Sequence, residues 1–231
     1  MGLRSSAWFA GDDEVALAHR VALRSAGIEV AADNTRPVIG IADSSSELNS
    51  CNLGLRELGY RVADGVRAAG GIPVTFGVMT MGEDLMKPSA LLYRNLLSME
   101  IEEYVRSYPI DGLVLLANCD KSVPGAVMGA LSADVPALVL TGGARPIATF
   151  RGRRVGTGTD LWRAWEQHRT GEMSDEDWAE FEACLNCGIG ACNTMGTASS
   201  MAVVVETLGL ALPGSASIPA NDPGREAAAV A

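Results

Sequence analysis

Apolar residues fall along this chain with two different periods. Compact apolar runs occupy residues 37–42, 72–76, 112–116 and 136–140, and between them apolar residues return every three or four positions. Runs of that length bounded by Gly and Pro read as buried strands, and the intervals read as helices. Residues 12–26 predict a helix, with Asp12 or Asp13 as cap, Val15, Leu17, Ala18, Val21 and Leu23 as its apolar positions and Gly27 as its stop. Leu55, Leu58, Val62 and Val66 keep helical spacing up to Gly70 and Gly71. A long helical stretch covers about residues 89–108, with a break, and small residues make a helix of 126–131. Pro73 sits near the start of its run, where strand prolines are tolerated. Strands alternating with helices of this length predict an α/β fold, a parallel sheet flanked by helices.

The remainder divides less evenly. Residues 1–36 predict an N-terminal helical arm and residues 37–215 the α/β domain. Within that domain, residues 145–182 form an excursion of loop and helix rich in Arg, Trp, Asp and Glu. Ser174 caps a helix there, with Asp177 three residues on. Trp162, Trp165 and Trp178 read as packing anchors of the excursion, and His168 as a solvated residue. After Cys192, the positions Met195, Ala198, Met201, Ala202, Val205 and Leu208 outline an apolar helix. Residues 216–231 are small and polar and read as a tail or linker.

Composition narrows the function classes. The chain has 231 residues with a formal net charge of −10, and so carries no basic footprint for nucleic acid or an anionic membrane. No apolar run is long enough to span a bilayer and no secretory leader is recognisable, so a cytoplasmic protein is expected. Five cysteines in such a chain point to metal or catalytic chemistry, not to a disulfide framework.

That chemistry has an address. Cys51 follows the first strand, Glu83 the second, and Cys119, Asp120 and Lys121 the third. In a parallel sheet these loops share one edge and can converge. Cys192 is expected to head the apolar helix that follows it, where the helix dipole favours a thiolate. Thiolates suit an iron–sulfur cluster or zinc, whereas carboxylates suit Mg²⁺. A cluster is ordinarily held by four Cys, so three leave one iron open as a Lewis acid. Cys184 and Cys187 form a C-x-x-C pair, which with Cys192 makes a rival zinc site. Gly188 and Gly190 lack the third glycine and the preceding strand of a dinucleotide fingerprint.

Residues 46–52, 82–88, 92–95, 118–125, 192–201 and 212–216, taken in order, resemble the dihydroxy-acid and sugar-acid dehydratase family of iron–sulfur enzymes. The resemblance implies that Cys51, Cys119 and Cys192 hold the cluster, 2Fe–2S in the favoured sugar-acid branch, with 4Fe–4S the alternative. It implies that Glu83, Asp120 and Lys121 hold Mg²⁺, Lys121 as a carbamate, which also makes Lys121 the catalytic candidate. The implied reaction removes water from a 2,3-dihydroxy acid, an aldonate sugar acid in preference to the dihydroxy acid of branched-chain amino-acid synthesis. The product is a 2-keto-3-deoxy acid.

Family members run on into a β-rich C-terminal domain that carries the proposed serine base. The resemblance therefore implies that this chain is the N-terminal part, inactive alone, and a homo-oligomer when joined to the missing domain. A non-catalytic zinc-binding or interaction module is the alternative of another class.

Overall fold

The computed structural model describes residues 2–185 and 188–231. The N-terminal arm holds the short helix α1 (Ser6–Phe9) and α2 (Glu14–Ser25). Asp13 caps α2, its Oδ1 accepting the amides of Val15 at 2.9 Å and Ala16 at 2.8 Å. Its apolar positions Val15, Leu17 and Val21 face outward and are exposed. The arm is fixed to the sheet through Asp111, whose carboxylate accepts Ser5 N at 2.8 Å and Val38 N at 2.7 Å.

The core alternates strand and helix as the pattern predicts: β1 (Val38–Asp43), α3 (Leu55–Ala68), β2 (Ile72–Gly77), α4 (Arg94–Ser107), β3 (Gly112–Leu116), α5 (Ser122–Ala133) and β4 (Ala137–Leu140). A short 3-10 turn over Leu91–Tyr93 is the break ahead of α4. The four strands form one parallel sheet in the order β2-β1-β3-β4. Alternating side chains send Ala42 and Leu115 to one face and Ile41 and Leu116 to the other. The first face packs against Leu97 and Ile101 of α4 and Val123 and Ala126 of α5, the second against Leu55, Leu58 and Val62 of α3. A Cβ at Gly129 would lie 2.6 Å from Ser98 O, so the approach of α5 to α4 depends on that glycine.

The excursion contains more regular structure than its composition suggests. A two-stranded antiparallel ribbon, β5 (Ala148–Phe150) with β6 (Arg153–Val155), precedes α6 (Thr159–Arg169) and α7 (Asp175–Leu185). Ser174 Oγ accepts the Asp177 amide at 3.1 Å, the expected cap. His168 is not simply solvated: its ring stacks on Trp178 with centroids 5.1 Å apart, and Nε2 lies 2.8 Å from Asp175. Trp178 packs against the excursion's core and Trp165 against Trp178, but Trp162 is exposed and outside that cluster.

Two further helices complete the chain, α8 (Thr197–Thr207) and α9 (Gly224–Val230). The reading of residues 216–231 as a bare tail or linker is corrected by α9. Ala229 joins the core beside α3, and buried Arg225 donates to Thr141 O at 2.9 Å and to Ile218 O. Small residues hid the helix because Ala can be buried without an obvious apolar stripe. Among the described residues, no helix is long and apolar enough to cross a membrane.

Candidate metal and active site

The strands end in register. Asp43 of β1 pairs with Gly77 of β2 and Leu116 of β3, and Leu116 pairs with Leu140 of β4, so the loops beyond them leave from one line. Three of the expected site segments occupy these loops.

Cys51 lies in a 3-10 turn (Ser50–Asn52), where Asn49 Oδ1 accepts its amide at 3.2 Å. Cys119 lies between β3 and α5, and its carbonyl accepts Val123 N at 3.0 Å. Both are buried. Cys192 reaches them from a different direction. Its neighbour Ala191 forms a parallel bridge with Ala144, beyond β4, with Ala191 N to Gly143 O at 2.9 Å and Arg145 N to Ala191 O at 2.8 Å.

The expectation that Cys192 heads a helix is corrected here. The helix starts at Thr197, with Gly196 as its N-cap, and Gly188 and Gly190 before the cysteine have φ of 119° and 117°. Such values interrupt a helix. The Cys192 thiol is nonetheless acidic, held at about 6, first by the hydrogen bond from Cys51 and then by the nearby Arg145 charge, against burial and the charges of Asp84 and Asp120.

Interaction of the Cys51 thiol with Cys119 and Cys192, together with burial, pushes its ionisation far up. Cys119 is pushed down, chiefly by the hydrogen bond from Cys51. Two buried thiols and a third partly buried one thus oppose one another's ionisation, because thiolates brought together need a cation to neutralise them.

The oxygen donors form a second, more open group. Lys121 Nζ stands 2.9 Å from Asp120 Oδ1 and 3.2 Å from Glu83 Oε2. Burial alone lowers the Lys121 pKa, but its hydrogen bonds to Asp120 and Glu83 leave it above the ordinary lysine value. Glu83 is held below the usual carboxylate range, first by Ala90 N, which donates to it at 3.0 Å, and next by Lys121. Cys119 Sγ lies 3.2 Å from Asp120 Oδ1, so the two groups meet between adjacent residues. Ser50 Oγ donates to Asp84, tying the Cys51 turn to the Glu83 loop.

Among the described residues, no three His, Cys, Asp or Glu side chains are gathered tightly enough to enclose a single metal ion. Cys184 belongs to the excursion, packed with its apolar cluster, and its Sγ lies 3.1 Å from Phe181 O. Cys187 lies outside the described residues.

Several polar residues at this edge escape a motif-based reading. Asn52 and Asn118 are buried and hydrogen-bonded into the cysteine loops. Arg145 is buried, with one guanidinium nitrogen 3.4 Å from Ser50 O and with Nε lacking a hydrogen-bond partner. Ser44, inside the serine-rich turn after β1, is buried and donates to Leu116 O at 2.5 Å. The adjacency of Asn52 to Cys51 and of Asn118 to Cys119 was the available signal; for Arg145 there was none.

A parallel α/β sheet with thiols and carboxylates brought to its carboxyl edge defines the class as an α/β domain with a candidate ligand site at the strand ends. The comparisons make this specific. Residues 36–231 match the family model for the dihydroxy-acid/6-phosphogluconate dehydratase N-terminal region. The chain belongs to that family. It is 45% identical over 220 residues to the 6-deoxy-6-sulfo-D-gluconate dehydratase of Pseudomonas putida, covering 95% of this chain and 38% of that protein. It is 44% identical over 224 residues to the L-arabinonate dehydratase of Rhizobium leguminosarum bv. trifolii, covering 97% and 39%. It is 39% identical over 200 residues to the dihydroxy-acid dehydratase of Roseiflexus sp., covering 84% and 35%. The chain therefore spans less than two fifths of the length of these relatives.

Proposed function

We propose that this chain is the metal-holding part of a hydro-lyase that dehydrates a 2,3-dihydroxy acid, an aldonate sugar acid, to a 2-keto-3-deoxy acid. The observation that carries the reading is the tying together of the Cys51, Cys119 and Cys192 segments by shared hydrogen bonds, beside an oxygen-donor group on the same sheet edge. The aldonate is preferred because relatives named for sugar-acid substrates share 39–45% identity with this chain, three of them 44–45%, against 39–40% for the dihydroxy-acid dehydratases.

The donor set fits an iron–sulfur cluster better than one zinc ion. A cluster distributes its thiolate ligands over more than one iron, so its ligands need not surround one point. Cys184, packed in the excursion's core, gives no support to a zinc site shared with Cys192. When bound, the cluster supplies an iron able to polarise the leaving 3-hydroxyl, and Mg²⁺ supplies charge for the substrate carboxylate and 2-hydroxyl.

Cys51, Cys119 and Cys192 would hold the cluster. Burial of Cys51 and Cys119 keeps water from two of the thiolates. Glu83 and Asp120 would hold Mg²⁺. Lys121 Nζ marks the point between those two carboxylates, and as a carbamate it would exchange a cation for an oxygen donor there. In the net reaction a proton leaves C2, hydroxide leaves C3 and takes up a proton as water, and the enol tautomerises to the keto acid. No serine of this chain is assigned the C2 proton. That group lies outside it, and the chain alone is expected to be inactive.

Anaerobic reconstitution with ferrous iron and sulfide tests the reading. The expected product is brown, with visible charge-transfer absorption and iron bound stoichiometrically. A chain that stays colourless and iron-free under those conditions overturns it.

A further inference from the structure

Asn52 and Asn118 follow one cysteine and precede another, and each reaches across to the other's loop. Asn118 Nδ2 donates to Cys51 O and to Gly143 O, both at 2.9 Å. Gly143 O also accepts Ala191 N at 2.9 Å, the amide just before Cys192. One side-chain amide thus touches the Cys51 turn, adjoins Cys119 covalently and shares an acceptor with the Cys192 segment. Asn52 reciprocates: its Oδ1 accepts Cys119 N at 3.0 Å. Its own NH₂ lies 2.9 Å from Ser44 O, 2.8 Å from Ser44 Oγ and 3.0 Å from Thr80 Oγ1, which fixes it to the loops that follow β1 and β2. Both residues are nearly devoid of solvent exposure, 0% for Asn52 and 4% for Asn118.

We infer that Asn52 and Asn118 form a reciprocal amide lock that positions the backbones of Cys51, Cys119 and Cys192 before any metal arrives. Only an amide meets both demands. Asn52 must accept from a cysteine N–H while donating to β1 and β2, and Asn118 must give two hydrogens to two carbonyls. Asp lacks the donors, and Gln places its amide one carbon too far out. The lock supports the proposed cluster site but rests only on convergence of the thiols, so it can be tested apart from iron.

The test uses the reduced 231-residue chain under anaerobic conditions, with phenylarsine oxide as probe, since trivalent arsenic binds firmly only where thiols are close together. Asn118→Ala and Asn52→Leu are compared with Asp111→Ala, which cuts the staple at the opposite edge of the sheet and lowers stability without touching the site. Loss of an outer-shell partner should weaken arsenical binding, and iron retention after reconstitution, by about tenfold or more. Asp111→Ala should melt at lower temperature yet keep both within about twofold, as distant sites act independently. If Asn118→Ala does not fold, Asn118→Ser carries the same comparison with one hydroxyl donor retained and an intermediate loss expected.

Folded Asn118 and Asn52 variants that bind the arsenical as tightly as wild type overturn the lock, as does a wild-type chain whose thiols take the arsenical no better than isolated thiols do. A wild-type chain that binds the arsenical but no iron overturns the proposed function and leaves the lock standing.

Discussion

The two halves of the site are built by opposite means. The sulfur half is mostly interior, with Cys51 and Cys119 buried and Cys192 partly so, and its geometry is set by the backbone. The amides or carbonyls of Cys51 and Cys119 are tied by buried side chains, and Cys192 is held through the Ala144–Ala191 bridge. The oxygen half is half-exposed and held by side-chain ion pairs, Lys121 with Glu83 and Asp120. Backbone ties in a dry interior hold a geometry whether or not charge changes nearby. Ion pairs at the surface are weaker and rearrange as charges are added or removed. The sulfur half is therefore preorganised, whereas the oxygen half can reorganise around a cation and substrate.

The largest effect expected from that contrast is loss of the sulfur half. Cys119→Ala should abolish iron uptake on anaerobic reconstitution, read as iron per chain and visible absorption, while the circular dichroism spectrum keeps its α/β shape. Retention of a full iron complement would remove Cys119 from the ligand set. Next, Glu83→Gln and Lys121→Met should weaken divalent-cation binding about tenfold, followed by Mn²⁺ electron paramagnetic resonance, but leave iron uptake near wild type. Equal loss of both metals in these variants would erase the proposed division.

Stability should divide in the same way. Ser122→Ala removes the buried hydroxyl that shares Cys119 N with Asn52 Oδ1, each at 3.0 Å, and should cost about 0.5–1.5 kcal/mol in urea unfolding. Glu83→Gln, at a carboxylate 42% exposed, should cost less than about 1 kcal/mol.

The smallest effect is a calibration away from the site. Glu206 is held below its ordinary pKa by the amides of Ala216 and Gly214, at 2.7 and 2.8 Å. A carboxyl depressed in the folded state contributes stability above its unfolded value of about 4.5, and loses it as pH falls through the lower folded value. Glu206→Gln should flatten that acid limb slightly and leave melting at neutral pH lower by less than Ser122→Ala does. An acid limb identical to wild type would mean that these amides do not hold the carboxylate in solution.

How far the sequence predicted all this depended on the range of the interactions. The strand at 112–116 coincides with β3, and the other three strands fall within a residue of their predicted bounds, because burial on a sheet imposes a local pattern. The convergence of Cys51, Glu83 and Cys119 followed from topology, since successive parallel strands end on one edge. Cys192 did not follow from helix logic. Gly188 and Gly190, with positive φ, and extended Gly196 keep that segment from being helical, and its acidity comes from Cys51 and Arg145. The ribbon of β5 and β6 was hidden by the shortness of its three-residue strands and by the charge of β6. Arg145 reaches Ser50 from 95 positions away, a pairing that no local pattern encodes.

Asp111 has a practical consequence. It anchors the arm at Val38, whereas the site loops leave β1 at Asp43, roughly 17 Å further along the strand at 3.3–3.4 Å per residue. The arm's attachment and the proposed metal site are thus on opposite ends of one short strand. A fluorophore, affinity tag or surface linker joined ahead of Ser5 can immobilise this domain for anaerobic work without crowding its thiols.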